Sequence, residues 1–144
     1  MMSEPVKGSC LCGAVKFSAP LKNEHVDACH CSQCRQWGGG PFMNVMAAEA
    51  PVFEDDTHLG VYESSDWAER LFCKNCGSSL MWRMKSNPDM VAIAAFAVPL
   101  SEQADFRLQV FTDSKPAFYD FANETRKMTG AELTAAFQSG ESVS

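Results

Sequence analysis

Seven cysteines in three tight groups constrain this chain more than any other feature of its sequence. They are Cys10-Leu11-Cys12, Cys29-His30-Cys31-Ser32-Gln33-Cys34 and Cys73-Lys74-Asn75-Cys76-Gly77. An odd number of thiols cannot all pair as disulfides, and clustering at these spacings is the pattern of metal knuckles. In a Cys-x-x-Cys turn two sulfurs and the nearby backbone N–H groups converge on one ion, and a following glycine accepts positive φ. The stretch "FCKNCGSSL" has that form, with a strand expected on either side, and "CLCG" is a tighter version. The metal this donor set implies is zinc. Seven sulfurs exceed one tetrahedron and fall one short of two, so two sites are expected.

Spacing alone leaves the partnership open. Cys31 and Cys34 with Cys73 and Cys76 would make a conventional double knuckle. Alternatively, Cys10 and Cys12 join Cys73 and Cys76 in a closed four-sulfur site, leaving Cys29, Cys31 and Cys34 as a three-sulfur group. Three ligands leave a coordination position open, the arrangement of catalytic rather than structural zinc.

The rest of the sequence describes an ordinary globular chain. At 144 residues and 46% apolar content it is sized for a single domain spanning residues 1–144. The net charge of −6 argues against nucleic-acid and anionic-membrane partners. "MMSEPVKGS" carries no apolar run of the secretory kind, and the longest apolar run, residues 90–100, is too short to cross a bilayer. A cytoplasmic protein with reduced thiols is expected.

Short runs of β-branched and aromatic residues between turn residues point to a mostly β fold. The expected strands are 13–18, 41–47, 59–65, 68–73, 79–84, 89–96 and 106–111. The run at 90–98 is apolar at nearly every position, so both faces are expected to be covered, although its alanines also suit a helix. One helical turn is expected at Ser32–Trp37, stopped by Gly38, Gly39 and Gly40. A second helix is expected over 130–139, because Thr129 and Glu132 have capping-box spacing and Gly140 is a stop. Residues 112–124 read as an irregular loop with aromatic anchors.

The ordered segments "GSCLCGAVKF", "ACHCSQCRQWGGGPF" and "RLFCKNCGSSLMW" resemble the glutathione-dependent formaldehyde-activating enzyme family, a domain type also related to centromere protein V. The resemblance covers about residues 8–121 and includes the late "VFTDSKPAFYDF". It implies a zinc-stapled, Mss-four-like fold of packed antiparallel sheets with short helical segments. It also implies a structural zinc on Cys10, Cys12, Cys73 and Cys76 and a catalytic zinc on Cys29, Cys31 and Cys34. The implied activity is that of a carbon–sulfur lyase or synthase, adding glutathione as co-substrate to formaldehyde. The partners are then a small thiol and an aldehyde.

Several neighbours of the middle group have a physical role to fill. Arg35 supplies positive charge beside a three-thiolate ion, or pairs with a carboxylate such as Glu63 or Asp66. Gly38, Gly39 and Gly40 can bring backbone N–H groups close to an anionic substrate. Trp37 and the run of glycines depart from the family pattern, as does Phe111, where many relatives carry tryptophan. His30 lies between two ligands, and its ring is expected to turn away because adjacent ligands crowd one ion. His25, His58, Asp113 and Lys115 read as packing or turn residues, and Met81 and Trp82 as core.

Two other chemistries fit poorly. A thioredoxin-type CxxC needs a βαβ context that is missing here, and a zinc deaminase needs a His-x-Glu partner that the chain lacks. The alternative to an enzyme is a non-enzymatic, zinc-stapled module that binds other proteins.

Overall fold

The computed structural model describes residues 4–141. The chain is mostly β, with eleven strands and two short α-helices among the described residues. It packs as two compact units, each assembled from two separate stretches of sequence.

The first unit takes residues up to Glu24 together with Asn44–Gln103. Strands β1 (Val6–Ser9) and β2 (Lys16–Ala19) form an antiparallel hairpin. The short β5 (Val52–Phe53) extends it on the β2 side. The remaining strands are β4 (Phe42–Met46, in this unit from Asn44 on), β6 (Leu59–Tyr62), β7 (Ala68–Cys73), β8 (Ser79–Met84) and β9 (Val91–Ala94). They pair antiparallel in the order β4-β9-β8-β7-β6.

Register explains the core of this unit. Leu71 faces Met81, Met81 faces Ile93, and Ile93 faces Val45, so one row of side chains crosses four strands. All four are fully buried. Each contributes about 1.5–3 kcal/mol of apolar burial, and a one-residue slip of any strand would turn its member outward. Gly8 is needed for close approach: a Cβ there would lie 2.6 Å from the Ala97 carbonyl oxygen and 2.4 Å from the Phe17 ring.

The apolar run at 89–96 departs from expectation. Its strand covers only Val91–Ala94, and Ala95–Ala97 turn into a short 3-10 segment. Burial on both faces holds for Val91, Ala92 and Ile93, whereas Phe96 is 90% exposed. No α-helix forms there.

The second unit takes His25–Met43 and the chain from Ala104 onward. Its central strand, β10 (Asp105–Val110), pairs with β3 (His25–Cys29) and β11 (Arg126–Met128). Both pairings are parallel, unlike the antiparallel arrangement expected throughout. Leu108, Val110, Met128 and Ala136 form the core, with Cys29, Phe111 and Leu133 packed against it. Helix α1 (Ser32–Gly38) follows β3 directly. Helix α2 (Gly130–Ser139) opens on a capping box, in which Thr129 and Glu132 satisfy each other's backbone N–H groups, and it ends at Gly140. Among the described residues no helix is long and apolar enough to cross a membrane.

Candidate metal centres

The two turns of the first unit that carry cysteine are built alike. After β1, Cys10 and Cys12 precede Gly13, whose φ is +81°, and the Gly13 N–H donates to the Cys10 carbonyl. At the end of β7, Cys73 and then Cys76 precede Gly77, also at +81°, and its N–H donates to the Cys73 carbonyl. Positive φ is what lets each chain reverse around its sulfurs. The Val15 N–H points at Cys10 Sγ, and the N–H groups of Asn75 and Cys76 point at Cys73 Sγ, each at 3.3 Å.

The four sulfurs of these turns lie within 4.8 Å of one another. Cys10 and Cys12 Sγ are 3.7 Å apart, and Cys12 and Cys73 Sγ 3.8 Å. A disulfide would need about 2.05 Å. A tetrahedron with zinc–sulfur bonds of about 2.3 Å has an edge of about 3.8 Å. The donor set therefore fits a four-thiolate zinc in number, element and spacing.

Polar neighbours tie the two turns together. Ser78 Oγ accepts from the Leu11 N–H at 3.0 Å and sits 3.1 Å from Cys76 Sγ, while the Asn75 side-chain amide donates to Cys12 Sγ at 3.2 Å. Hydrogen bonds from Ser78 pull the Cys76 thiol down to about 5. Burial works to raise Cys10, yet the Val15 N–H and the neighbouring sulfurs leave it below its ordinary value. Burial dominates at Cys73 and pushes it up.

The other three sulfurs form their own group in the second unit. Cys29 ends β3, Cys31 is the N-cap of α1, and Cys34 lies buried in its first turn. Their sulfur atoms also lie within 4.8 Å of one another. The Cys34 N–H points at Cys31 Sγ at 3.3 Å. Hydrogen bonds that the Cys29 S–H donates to the Cys31 and Cys34 sulfurs, with burial, push the Cys29 thiol far up. A third thiolate here needs a cation to balance it, so this group fits a three-thiolate zinc.

The geometry thus groups Cys73 and Cys76 with Cys10 and Cys12, and leaves the middle three together. The His30 ring turns away from the sulfurs, as ligand crowding requires. It is fully buried, with Nδ1 2.7 Å from the Tyr119 hydroxyl and Nε2 2.8 Å from Gln109 Oε1. Burial lowers its pKa, against the pull of Gln109. Burial likewise raises Tyr119.

Arg35 donates from Nε to the His30 carbonyl at 2.9 Å. Glu63, one of the carboxylates considered for it, faces Lys85 instead. Gly39 caps α1 with φ +79°, and its N–H donates to the Arg35 carbonyl, so this N–H is already engaged. Gly38, Gly39 and Gly40 border open space. Trp37 packs edge-on against Phe42, with ring centroids 5.2 Å apart.

Lys115 is a loop fastener, reaching the Pro116 and Tyr119 carbonyls and the Asp120 carboxylate. Asp113 accepts from the Gly130 N–H, and His25 pairs with Asp105 at 3.3 Å. Met81 is core, and Trp82 stacks edge-on against Trp67. An open hollow of about 560 Å³ in the first unit, lined by Phe53, Glu54, Asp56 and Arg83 among others, contains none of the cysteines.

Reading the sequence missed Tyr119, Gln109 and Thr125 around His30, and Ser78 and Asn75 around the four-sulfur group. Only Ser78 and Asn75 carried a local signal, since both lie in or beside the Cys-x-x-Cys turn.

Comparison with known proteins converges on one family. The family model described as glutathione-dependent formaldehyde-activating enzyme matches residues 5–114. A Schizosaccharomyces pombe protein named an uncharacterized lyase is 37% identical over 127 residues, covering 88% of this chain and 93% of its own length. A Halomonas elongata protein, named provisionally as a glutathione-dependent formaldehyde-activating enzyme, is 29% identical over 121 residues, covering 77% of each chain. A Rhodobacter sphaeroides crystal structure is similar with a TM-score of 0.55 and 26% identity, covering 69% of this chain and 90% of its own.

Proposed function

The chain belongs to the glutathione-dependent formaldehyde-activating enzyme family, and from that membership we propose that it is a zinc-dependent carbon–sulfur lyase. It joins a small thiol, glutathione in the first instance, to formaldehyde or a related electrophile, and it runs the reverse step. The observation that carries this reading is the division of the sulfurs into a group of four and a separate group of three. The four close their own coordination and serve the fold. The three leave one position for chemistry.

In the forward direction the thiol S–H bond breaks and a sulfur–carbon bond forms. The carbonyl π pair takes up a proton and becomes the hydroxyl of a hydroxymethyl thioether. Cys29, Cys31 and Cys34 would hold the zinc, which would supply a Lewis-acid position for a sulfur or oxygen atom. Three thiolates around a dication leave about one negative charge, so an incoming anion needs positive potential nearby. Arg35, anchored on the His30 carbonyl, holds its charge one residue beyond Cys34. Gly38, Gly39 and Gly40 leave room beside it for substrate, and the Trp37–Phe42 contact provides an apolar edge. A reducing, cytoplasmic setting keeps these thiols and the co-substrate unoxidised.

The test is NMR magnetisation transfer between hydrated formaldehyde and its adducts with glutathione and with other small thiols. Zinc-loaded protein should accelerate exchange with glutathione. Acceleration with a different thiol alone would reassign the co-substrate. Acceleration with none would replace this reading with that of a zinc-stapled binding module.

A further inference from the structure

His30 stands between two of the sulfur donors, and every polar group it owns is bonded. Its N–H, which belongs to the peptide following Cys29, donates to the Val110 carbonyl at 3.1 Å. Its carbonyl, which belongs to the peptide preceding Cys31, accepts from Arg35 Nε at 2.9 Å. The two peptide planes that lead to Cys29 and Cys31 are therefore both anchored through one residue.

The ring is fixed as firmly. Gln109 Nε2 donates to Thr125 Oγ1 at 2.9 Å, which assigns Oε1 as the atom facing His30. His30 Nε2 then carries the hydrogen, and in the neutral ring Nδ1 accepts from the Tyr119 hydroxyl. The donors run in one direction, from Tyr119 to His30 to Gln109 to Thr125. The Tyr119 and Phe121 rings lie 5.5 and 5.9 Å from the imidazole. Gln109 and His30 are both buried, so breaking either bond would leave a polar atom with no access to water.

We propose that His30 is a positioning residue of the three-sulfur centre, acting through Cys29 and Cys31, with Tyr119 and Gln109 holding its ring. This rests on the reading that the three sulfurs hold a metal. Groups that orient metal ligands from behind typically change metal affinity by roughly 10- to 100-fold when removed. His30 does this through the backbone on either side of itself.

The test uses the zinc-loaded full-length chain and competition with a chromophoric chelator, alongside cobalt(II) spectra. Wild type should release two zinc ions in two separable steps. Tyr119→Phe removes one hydroxyl and keeps the ring, and His30→Phe removes both ring nitrogens. Both should weaken the three-sulfur zinc roughly 10- to 100-fold and shift its cobalt–thiolate bands, leaving the four-sulfur zinc unchanged. Glu124→Gln, exposed in the same loop, should change neither. If His30→Phe does not fold, Tyr119→Phe decides alone. Affinities within about twofold of wild type, or equal losses at both centres, would overturn the proposal. Release of a single zinc from wild type would overturn the metal reading first, before any substitution is compared.

Discussion

Replacing Cys73 with serine should damage the fold about twice as much as replacing Cys31. Cys12 and Cys73 are 61 positions apart in the chain, and the four-sulfur group ties them together. A cross-link over that span restricts the unfolded chain by an amount equivalent to about 4 kcal/mol. The three-sulfur group draws its ligands from the single stretch Cys29–Cys34, where the same relation gives about 2 kcal/mol. Whole domains have about 5–15 kcal/mol of stability. At roughly 3–4 °C per kcal/mol for a chain of this size, Cys73→Ser should lower the melting midpoint by about 12–16 °C. Cys31→Ser should lower it by about half as much. Thermal unfolding followed by circular dichroism, with zinc content measured by mass spectrometry on the same samples, reads both effects. Equal losses from the two substitutions would refute the division into a structural and a chemical centre.

Further outcomes follow from particular residues. Gly8→Ala should cost about 2–3 kcal/mol in denaturant melts, because a new Cβ meets a backbone oxygen and a buried ring. Gly60→Ala should cost about 1 kcal/mol, because the nearest atoms a new Cβ meets belong to the Phe72 ring, which can swing. Gly39→Ala should cost about 1 kcal/mol through its left-handed φ alone, whereas Gly38→Ala, in helical backbone with open space around it, should stabilise by about 0.5 kcal/mol. The Glu132 carboxyl is held below its ordinary value by the Thr129 N–H and hydroxyl. Its contribution to α2 is therefore present above the unfolded pKa and lost as pH falls through the folded one. NMR titration should find that depressed midpoint, and Thr129→Ala, which removes the hydroxyl but keeps the N–H, should bring it only part of the way back to the ordinary value.

Much of this arrangement was legible where its causes are local. Strands β7 and β8 fall on the two apolar runs that flank the Cys-x-x-Cys turn, and α2 begins and ends on its capping residues. Helix α1 stops in the glycines, as backbone freedom dictates. The misses have distant causes. Strand β3 was hidden because its strand character comes from parallel pairing with β10, His25 opposite Asp105, far along the chain. Strand β11 is three residues long and exists through the same neighbour. The expected strand at 13–18 begins only at Lys16, because Val15 first donates its N–H to Cys10 Sγ. The orientation of His30 could be inferred from ligand crowding. Its partners Gln109 and Tyr119 could not, since nothing near His30 in sequence points to residues 79 and 89 positions away.

On the proposed function, thiol addition to formaldehyde occurs at Cys29, Cys31 and Cys34. The most direct measurement is the formaldehyde–glutathione exchange rate of Cys31→Ser beside wild type, by NMR, on samples shown to be folded and to retain the four-sulfur zinc. Wild type should accelerate exchange, and Cys31→Ser should leave it at the uncatalysed rate. Exchange accelerated equally by both proteins would contradict that assignment.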